Sequence, residues 1–403
     1  MPISKESAPQ VIDNKRWLYL AESAVLLLFL GLVYAWSNFV KPLEVEFGWL
    51  RSQTSLAFSI CMSFFCVGGF VSGLILRRHS TRPVMFLCAL CVSSGFLLAS
   101  RLTSLPGLYM TYGVLVGLGI GFGYNCTIST VVKWFPEKPG FVSGLTLMGF
   151  GLGGMVLGTV STAMITAFGW RATFLQLGVA FGVLIVLCAF LVKAPPRRAR
   201  SSAALENGGA AGMTTTQMIK RRSFWIFFSW AVLLAAAGLA LIGNASSLAI
   251  DMGSSLETAS LLTGLVSVFN GTGRVVMGFL YDKIGRGKSM CAISLGLVAA
   301  FTFIIFALEG RSLALLAAGY ICVGFSFGGI VPINTAVCYS FYGSENYAMN
   351  FSIVNSHVIV SSFLGPFLTG SLQTMSGSFI GAAVVMILFG ATGFVLSLLL
   401  KQA

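Results

Sequence analysis

One arginine lies deep inside an apolar stretch of the sequence. Arg274 belongs to the run 257–281 and lies about 10 Å from the nearer end of it at 1.5 Å per residue. At that depth the side chain cannot easily reach the membrane surface, and a buried cation costs at least about 2.5–3.5 kcal/mol. An internal ion pair is the alternative explanation, but the nearest acids, Glu22 and Asp282, lie close to run ends. Because a planar guanidinium can bind a carboxylate through two hydrogen bonds, we interpret Arg274 as a substrate ligand.

His357 is the one histidine within an apolar run, since His79 falls in a polar loop. A lone histidine in a helix is commonly a neutral imidazole that is hydrogen-bonded to a neighbouring helix. With an ordinary pKa of about 6.5, an imidazole can also gain and lose a proton near neutral pH. We interpret His357 as a proton-coupling residue and keep the structural role as the alternative.

Four further polar side chains lie midway along apolar runs, namely Tyr124, Asn125, Tyr34 and Asn334. A phenol or an amide at that depth needs a polar partner or a wet cavity. Ordinary helix packing is the alternative for each of them. We predict that all four contribute to the substrate site.

Side chains for covalent or metal chemistry form no recognisable pattern. The sequence has no phosphate-binding loop, no zinc motif and no nucleophile with a matching base. Its nine cysteines lack metal-binding spacing and are interpreted as small core residues. The net charge of +13 does not gather into a basic domain with interleaved aromatic residues, which argues against nucleic acid as a partner. We expect no enzyme activity, no metal and no cofactor.

The elements that must position these residues are membrane-spanning helices. Of the 403 residues, 56% are apolar and only 9% are charged, and the mean hydropathy is +0.90. A soluble domain has roughly 25% charged residues, so lipid must solvate most of this chain. Since each span needs roughly 20 apolar residues, we predict an all-α integral membrane protein with twelve transmembrane helices. The predicted spans are 17–40, 52–76, 83–100, 106–132, 140–167, 172–192, 223–249, 257–281, 288–308, 312–341, 347–373 and 377–400.

A long polar stretch divides the spans into two sets of six. We predict an N-terminal six-helix bundle at 1–192, a basic linker at 193–222 and a C-terminal six-helix bundle at 223–403. Lysine and arginine concentrate in the N-terminus, the linker and the other even-numbered loops, which predicts that both termini and the linker are cytoplasmic. The N-terminus has no cleavable leader pattern, so we expect the first span to stay as an anchor. We expect a monomer in the inner, or plasma, membrane.

The loops after the second and eighth spans share a spacing. The later copy contains Gly278, Asp282, Gly285, Arg286 and Lys288. The earlier copy contains Gly73, Arg77, Arg78, His79 and Arg82, and has lost the acid and the second glycine. The later copy resembles the signature of the major facilitator superfamily, whose fold consists of two pseudo-symmetric six-helix bundles. On that resemblance we interpret Asp282 and Arg286 as a cytoplasmic latch that pairs, or caps helix ends, in one access state.

Within that superfamily the sequence is most similar to the oxalate:formate antiporter family and to related bacterial monocarboxylate-transporter-like proteins. The similar segments are Trp134–Lys138, Gly140–Gly144, Phe269–Gly271 with Arg274, Asn350 with Phe351, and Leu364–Pro366. The resemblance implies alternating access, carboxylate substrates, a tyrosine at Tyr124, an arginine on span eight and a lysine on span eleven. Arg274 matches the arginine, whereas the lysine position falls on Val358, next to His357.

Charge balance favours one substrate class. One fixed cation at Arg274 balances one carboxylate, so the leading hypothesis is a proton-coupled symporter of small monocarboxylates such as lactate, pyruvate or formate. The first alternative is a carboxylate exchanger in which a protonated His357 replaces the missing lysine. The second is a membrane ligand sensor that does not transport. The glycines of span five are interpreted as a packing face, and they are Gly140, Gly144, Gly149, Gly151, Gly153, Gly154 and Gly158.

Overall fold

The structure is a computed structural model of the chain, and it describes residues 11–49, 51–191, 212–242, 244–376 and 378–400. Within these ranges the regular elements are helices, and none is a β-strand. The predicted linker 193–222 lies mostly outside the described residues, which resume at 212.

Sixteen α-helices can be followed along the described chain. Before the linker they are α1 (Val11–Leu30), α2 (Ser37–Phe47), α3 (Arg51–Arg78), α4 (Thr81–Ala99), α5 (Leu105–Leu108), α6 (Gly117–Val131) and α7 (Pro139–Leu191). From the end of the linker onward they are α8 (Thr215–Lys220), α9 (Arg222–Ile242), α10 (Ala245–Asp251), α11 (Leu256–Ile284), α12 (Arg286–Gly310), α13 (Leu313–Tyr342), α14 (Tyr347–Asn355), α15 (His357–Ser376) and α16 (Ile380–Leu399). Two 3-10 helices occupy Gly31–Ala35 and Val132–Trp134, and a π-helix occupies Tyr109–Val116.

Helix α7 contains two of the predicted spans. Its backbone leaves the helical region at Gly169, with φ 77° and ψ 162°, between the spans 140–167 and 172–192. A side chain at that φ would be strained, so glycine permits the turn. Among the described residues nine helices are long and apolar enough to cross a membrane, with α7 counted once.

Two predicted spans are interrupted in their middle. The first consists of α1, the 3-10 helix Gly31–Ala35 and α2. In the eleventh, α14 and α15 meet at Ser356, whose backbone N–H is shared between the carbonyl oxygens of Ser352 and Ile353 at 3.2 Å each. Interrupted helices at mid-membrane commonly line the binding sites of transporters. These two breaks carry Tyr34 and His357.

The helices form two six-helix bundles, which confirms the predicted fold class. In the N-terminal bundle α3 packs on α6 and α4 packs on α7, and in the C-terminal bundle α11 and α12 pack on α13 while α9 packs on α15. Helices satisfy their own backbone hydrogen bonds, as lipid demands. The bundles meet where α7 packs on α11 and where α3 packs on α14.

One end of the molecule brings the two bundles together through glycines. A Cβ atom on Gly278 of α11 would collide with the carbonyl oxygen of Gly140 on α7. A Cβ atom on Gly73 of α3 would lie 2.9 Å from the carbonyl oxygen of Ala348 on α14. The described part of the linker lies at the same end, where the backbone N–H of Met213 donates a hydrogen bond of 2.9 Å to the carbonyl oxygen of Tyr342. We therefore call this end the linker end.

Candidate functional site

Arg274 on α11 is almost completely buried, with 4% of its surface exposed. Its Nη1 donates a hydrogen bond of 2.6 Å to the carbonyl oxygen of Leu147 on α7, and its Nε donates one of 3.4 Å to Oδ1 of Asn270. Among the described residues no acidic side chain pairs with it, and no hydrogen bond reaches Nη2. Arg274 is therefore a buried cation with spare donors, held where the two bundles meet.

The glycine face of α7 makes room for this arginine. A Cβ atom on Gly151 would lie 3.2 Å from Cζ and 3.3 Å from Nη1 of Arg274, and one on Gly144 would collide with the Arg274 carbonyl oxygen. The spacing of these glycines predicts a packing face. Gly151 is a site residue that sequence reasoning missed, because the spacing of small residues does not reveal which side chain they face.

Both predicted tyrosines pack against Phe150, and Tyr124 also interacts with Arg274. Tyr124 on α6 is buried, its ring centroid lies 5.1 Å from that of Phe150, and its hydroxyl interacts electrostatically with Arg274 and Tyr34. The ring of Tyr34 lies 5.3 Å from Phe150, and the residue is 47% exposed. Phenol hydroxyls beside a guanidinium offer further donors to a bound carboxylate. We call Arg274, Tyr124 and Tyr34 the arginine cluster.

Asn125 joins the two bundles and is not part of this cluster. The residue is 1% exposed, and its Nδ2 donates to the carbonyl oxygen of Gly69 and, at 3.0 Å, to that of Ala348 on α14. Both amide hydrogens are then bound by backbone oxygens, and Oδ1 has no partner among the described residues. In this conformation Asn125 cannot donate to a substrate.

His357 and Asn334 form a separate polar pair in the C-terminal bundle. Nε2 of His357 lies 2.7 Å from Nδ2 of Asn334, and the residues are 1% and 0% exposed. Since an amide can be rotated to present either atom, Asn334 donates to a neutral imidazole or accepts from Nε2–H. Nδ1 of His357 has no partner among the described residues, where no hydrogen bond links the pair to Arg274 either.

Val358, at which the resemblance places a lysine, is half-buried and packs against the apolar core. Since Val358 follows His357 directly on one helix, the two side chains point about 100° apart. His357 therefore does not occupy the direction in which a side chain at 358 projects.

Asp282 caps the first turn of α7 across the boundary between the bundles. Its carboxylate oxygens accept hydrogen bonds from the backbone N–H groups of Gly140, at 3.0 Å, and Phe141, at 2.7 Å. The positive end of the helix dipole favours an anion there. Asp282 lies just beyond the predicted span 257–281, and burial raises its pKa to about 6 against the lowering effect of these two hydrogen bonds.

Arg286 caps a different helix. Its Nη2 donates a hydrogen bond of 2.6 Å to the carbonyl oxygen of Leu400 at the end of α16, and its guanidinium carbon lies 4.7 Å from the ring centroid of Phe341. A cation is favourable at a helix C-terminus. The two predicted latch residues do not pair with each other, and of the two it is Asp282 that connects the bundles.

A narrow cleft lies where α6 faces α14. It is lined by Tyr124 and Asn125 of one bundle and by Phe351, Ser352 and Asn355 of the other, and its volume is about 10 Å³. That volume holds about one water molecule. The bundles are therefore closed against each other between the arginine cluster and the linker end.

Known proteins resemble this chain in both sequence and fold. The family described as Major Facilitator Superfamily matches residues 23–248 and 229–402. The oxalate:formate antiporter of Oxalobacter formigenes is 25% identical over 388 residues, which are 95% of this chain and 92% of the relative. Monocarboxylate transporter 1 of Rattus norvegicus is 30% identical over 163 residues, which are 40% of this chain and 32% of the relative.

A solved structure shares the fold over its whole length. A double Trp mutant of XylE aligns with a TM-score of 0.78 at 15% identity, over 97% of each chain. The family match and this alignment both extend across the two bundles. The protein is therefore a transporter and not an enzyme, and it belongs to the Major Facilitator Superfamily.

Proposed function

We propose that the protein is a secondary active transporter that carries small monocarboxylates of the lactate, pyruvate and formate class together with protons. The observation that carries the proposal is Arg274, which is buried, has no acidic partner among the described residues and keeps Nη2 free of hydrogen bonds. An uncompensated buried cation is costly, so a site that keeps one is expected to bind an anion. A carboxylate that accepts from Nη2 supplies the missing charge.

The number of charges supports a monocarboxylate. A dianion bound at Arg274 needs a second cation, and Val358 supplies none where the resemblance places a lysine. An unpaired ion in a low-dielectric site costs several kcal/mol. Two relatives are named for carboxylates, the oxalate:formate antiporter and monocarboxylate transporter 1, and this supports the substrate class.

Alternating access supplies the mechanism, because it exposes one site to the two sides of the membrane in turn. Asp282 binds the start of α7 and Asn125 binds α14, so both residues connect the bundles toward the linker end, which supports a conformation that is closed there. With the linker and both termini in the cytoplasm, as the basic loops predict, a substrate reaches Arg274 from outside past the exposed Tyr34. We assign the moving units to 1–192 and 223–403, joined by the linker 193–222, in an inner-membrane monomer.

His357 is our candidate for the coupled proton. Its Nδ1 is buried without a partner among the described residues, while Nε2 is occupied by Asn334. A proton taken up at Nδ1 makes the imidazole cationic at the break between α14 and α15. In the symporter that cation appears and disappears once per cycle, and Asn334 holds the ring in place.

A carboxylate exchanger is the second candidate, favoured by the match to the oxalate:formate antiporter over 95% of this chain. In that case a protonated His357 serves as the second cation for a dianion. Proteoliposomes that contain the purified protein but no internal carboxylate separate the two. A symporter accumulates labelled lactate under an inward proton gradient. Uptake that needs internal carboxylate and ignores the gradient identifies an exchanger, and no uptake in either format contradicts both proposals.

A further inference from the structure

We propose that the basic end of α3 binds the phosphate group of an anionic phospholipid in the leaflet at the linker end. An open pocket of about 460 Å³ lies at this end of the helix. Its lining residues are Leu74, Ile75, Arg77, Arg78 and His79. We call this group the α3 pocket.

Among the described residues, no counter-charge pairs with the basic side chains of the α3 pocket. Arg77, Arg78 and His79 are exposed, and none of them makes a side-chain hydrogen bond or an ion pair with a described residue. The exposed Glu345 precedes α14, but it packs against Gly212 of the linker. At least two fixed positive charges are thus free to bind an anion from outside the chain.

The end of α11 is the pseudo-symmetric equivalent of the end of α3, and it carries an acidic residue that α3 lacks. On α11 the residue four positions after Gly278 is Asp282, whose carboxylate accepts from the first N–H groups of α7. On α3 the residue four positions after Gly73 is Arg77, and Gly73 packs against the backbone at Ala348 on α14.

The start of α14 has no cap from its own N-cap residue either, since the side chain of Asn346 makes no hydrogen bond to the helix. A helix N-terminus carries a partial positive charge of its own. The acid at one corner is replaced by cations at the other, so the positive charge there is available to an external anion.

The position of the α3 pocket favours a lipid over a soluble phosphate. Arg77 and Arg78 are the last residues of the candidate membrane span Leu56–Arg78, which puts them at headgroup depth. Leu74, one turn deeper, is 41% exposed and offers an apolar surface to an acyl chain. Guanidinium groups bind phosphate oxygens through paired hydrogen bonds. Cations above apolar side chains match a headgroup phosphate above its acyl chains.

Native mass spectrometry of the full-length protein in detergent tests this with dioleoyl phosphatidylglycerol as the probe. The parent should keep a bound phosphatidylglycerol that dioleoyl phosphatidylcholine does not replace. Each basic residue near a membrane surface contributes about fivefold in affinity for anionic lipid. The Arg77→Gln/Arg78→Gln variant should therefore bind phosphatidylglycerol about 30-fold more weakly. The matched control, Arg221→Gln/Arg222→Gln, removes the same charge from exposed arginines at the linker end and should bind like the parent.

Three outcomes would overturn the proposal. Equal losses in the two double variants would show attraction to net charge and not a site. Unchanged binding in the Arg77/Arg78 variant would place the lipid elsewhere. Displacement by glycerol phosphate at the same concentration as the lipid would identify a site for soluble phosphates. Thermal unfolding of both variants in detergent, with midpoints within a few degrees of the parent, excludes misfolding as the cause.

Discussion

Arg274 differs from other arginines of the chain in the groups that surround it. Arg16 and Arg171 each lie 2.7 Å from a glutamate carboxylate and are partly exposed. Arg274 is 4% exposed, and its described acceptors are the neutral oxygens of Leu147 and Asn270. Removing a surface ion pair costs little folding stability. A buried cation without a counter-charge is unfavourable until an anion binds to it.

Replacing Arg274 should therefore affect transport more than folding. Arg274→Ala should abolish lactate uptake into proteoliposomes. Arg274→Lys should lower it at least tenfold, because a single ammonium cannot bind the Leu147 carbonyl oxygen and a carboxylate with the geometry of a guanidinium. The exposed Arg222→Lys is the control, and all variants should keep the parent's melting temperature within a few degrees. Normal uptake by the Lys variant would contradict two-point binding, and normal uptake by the Ala variant would contradict the site itself.

Gly151 offers a gentler test of the same site. A methyl group there would lie 3.2 Å from the Arg274 Cζ, so the guanidinium must shift by a few tenths of an ångström. Gly151→Ala should raise the KM for lactate about tenfold. Gly264→Ala on α11 adds the same methyl group where no atom lies within 4 Å, and it should leave KM unchanged. An unaffected KM in Gly151→Ala would show that the guanidinium position does not matter for binding.

His357 is tested by the pH dependence of uptake. His357→Ala should flatten the profile, because the variant has no imidazole that can gain and lose a proton during the cycle. His357→Gln can still hydrogen-bond to Asn334 but cannot carry a proton, so it should flatten the profile equally. His79→Ala, at an exposed loop position, should keep the parent profile. If His357→Gln retains the parent's pH dependence, the proton travels on the substrate or on another group.

At the scale of elements, the sequence predicted where helices lie better than where they break. The apolar runs predicted the positions of the spans, because a segment that crosses lipid must satisfy its backbone hydrogen bonds within a helix. The turn at Gly169 fell between two predicted runs. The breaks at Gly31–Ala35 and Ser356 lie inside apolar runs and have no proline beside them, so the local pattern gave no sign of them. Tertiary packing decides such breaks.

The cap of α7 by Asp282 leads to a prediction about one element. Asp282→Ala leaves the N–H groups of Gly140 and Phe141 without their acceptors, so the first turn of α7 should open more often. Hydrogen exchange of a peptide covering 139–145 should be at least tenfold faster than in the parent. Asp251→Ala, at an exposed position on α10, should leave that peptide unchanged. Equal exchange in the Asp282 variant and the parent would mean that the cap does not hold the bundles together.

The same cap should respond to pH. Burial raises the pKa of Asp282 from its usual 3.8 to about 6, so the capped arrangement takes up a proton more readily than an open one. Protonation of Asp282 therefore stabilises the closed conformer. This stabilisation is complete below about pH 3.8 and is lost as the pH rises through about 6. The ratio of exchange rates, Asp282→Ala over parent, should be larger at pH 5 than at pH 7.5. A constant or opposite trend would contradict the shift.

For the whole molecule, composition was enough to predict the fold. It was not enough to predict which of the candidate site residues lie together. Low charge content and twelve runs predicted two membrane bundles, which the structure and the family match confirm. The candidate ligands were predicted as one site. The described contacts divide them into the arginine cluster, the pair of His357 and Asn334, and Asn125 between the bundles. Depth along a helix can be read from sequence, whereas the direction and partner of each side chain depend on packing.

The charge balance of the whole site predicts substrate preference. Monocarboxylates should bind more tightly than oxalate near pH 7, because Val358 offers no second cation. Val358→Lys should shift preference toward oxalate at all pH values, whereas Val360→Lys, two positions along α15 and 47% exposed, should not. Competition against uptake of labelled lactate measures the preference of the parent and of each variant. Oxalate that outcompetes lactate at pH 7.5 in the parent would favour the exchanger.

The hydrogen bonds of Asn125 and Asp282 that join the bundles toward the linker end are individually weak enough to break and re-form. Asn125 donates to Gly69 of its own bundle and to Ala348 of the other, so separation of the bundles breaks only one of its two bonds. Asp282 contributes two more bonds across the boundary. At about 1 kcal/mol each, somewhat more for the carboxylate, these bonds favour the closed conformer by a few kcal/mol. A gap of that size leaves the opposite conformer at roughly 0.1–10% of the molecules. Thermal fluctuation alone can then interconvert the two conformers, and gradients need only bias the direction.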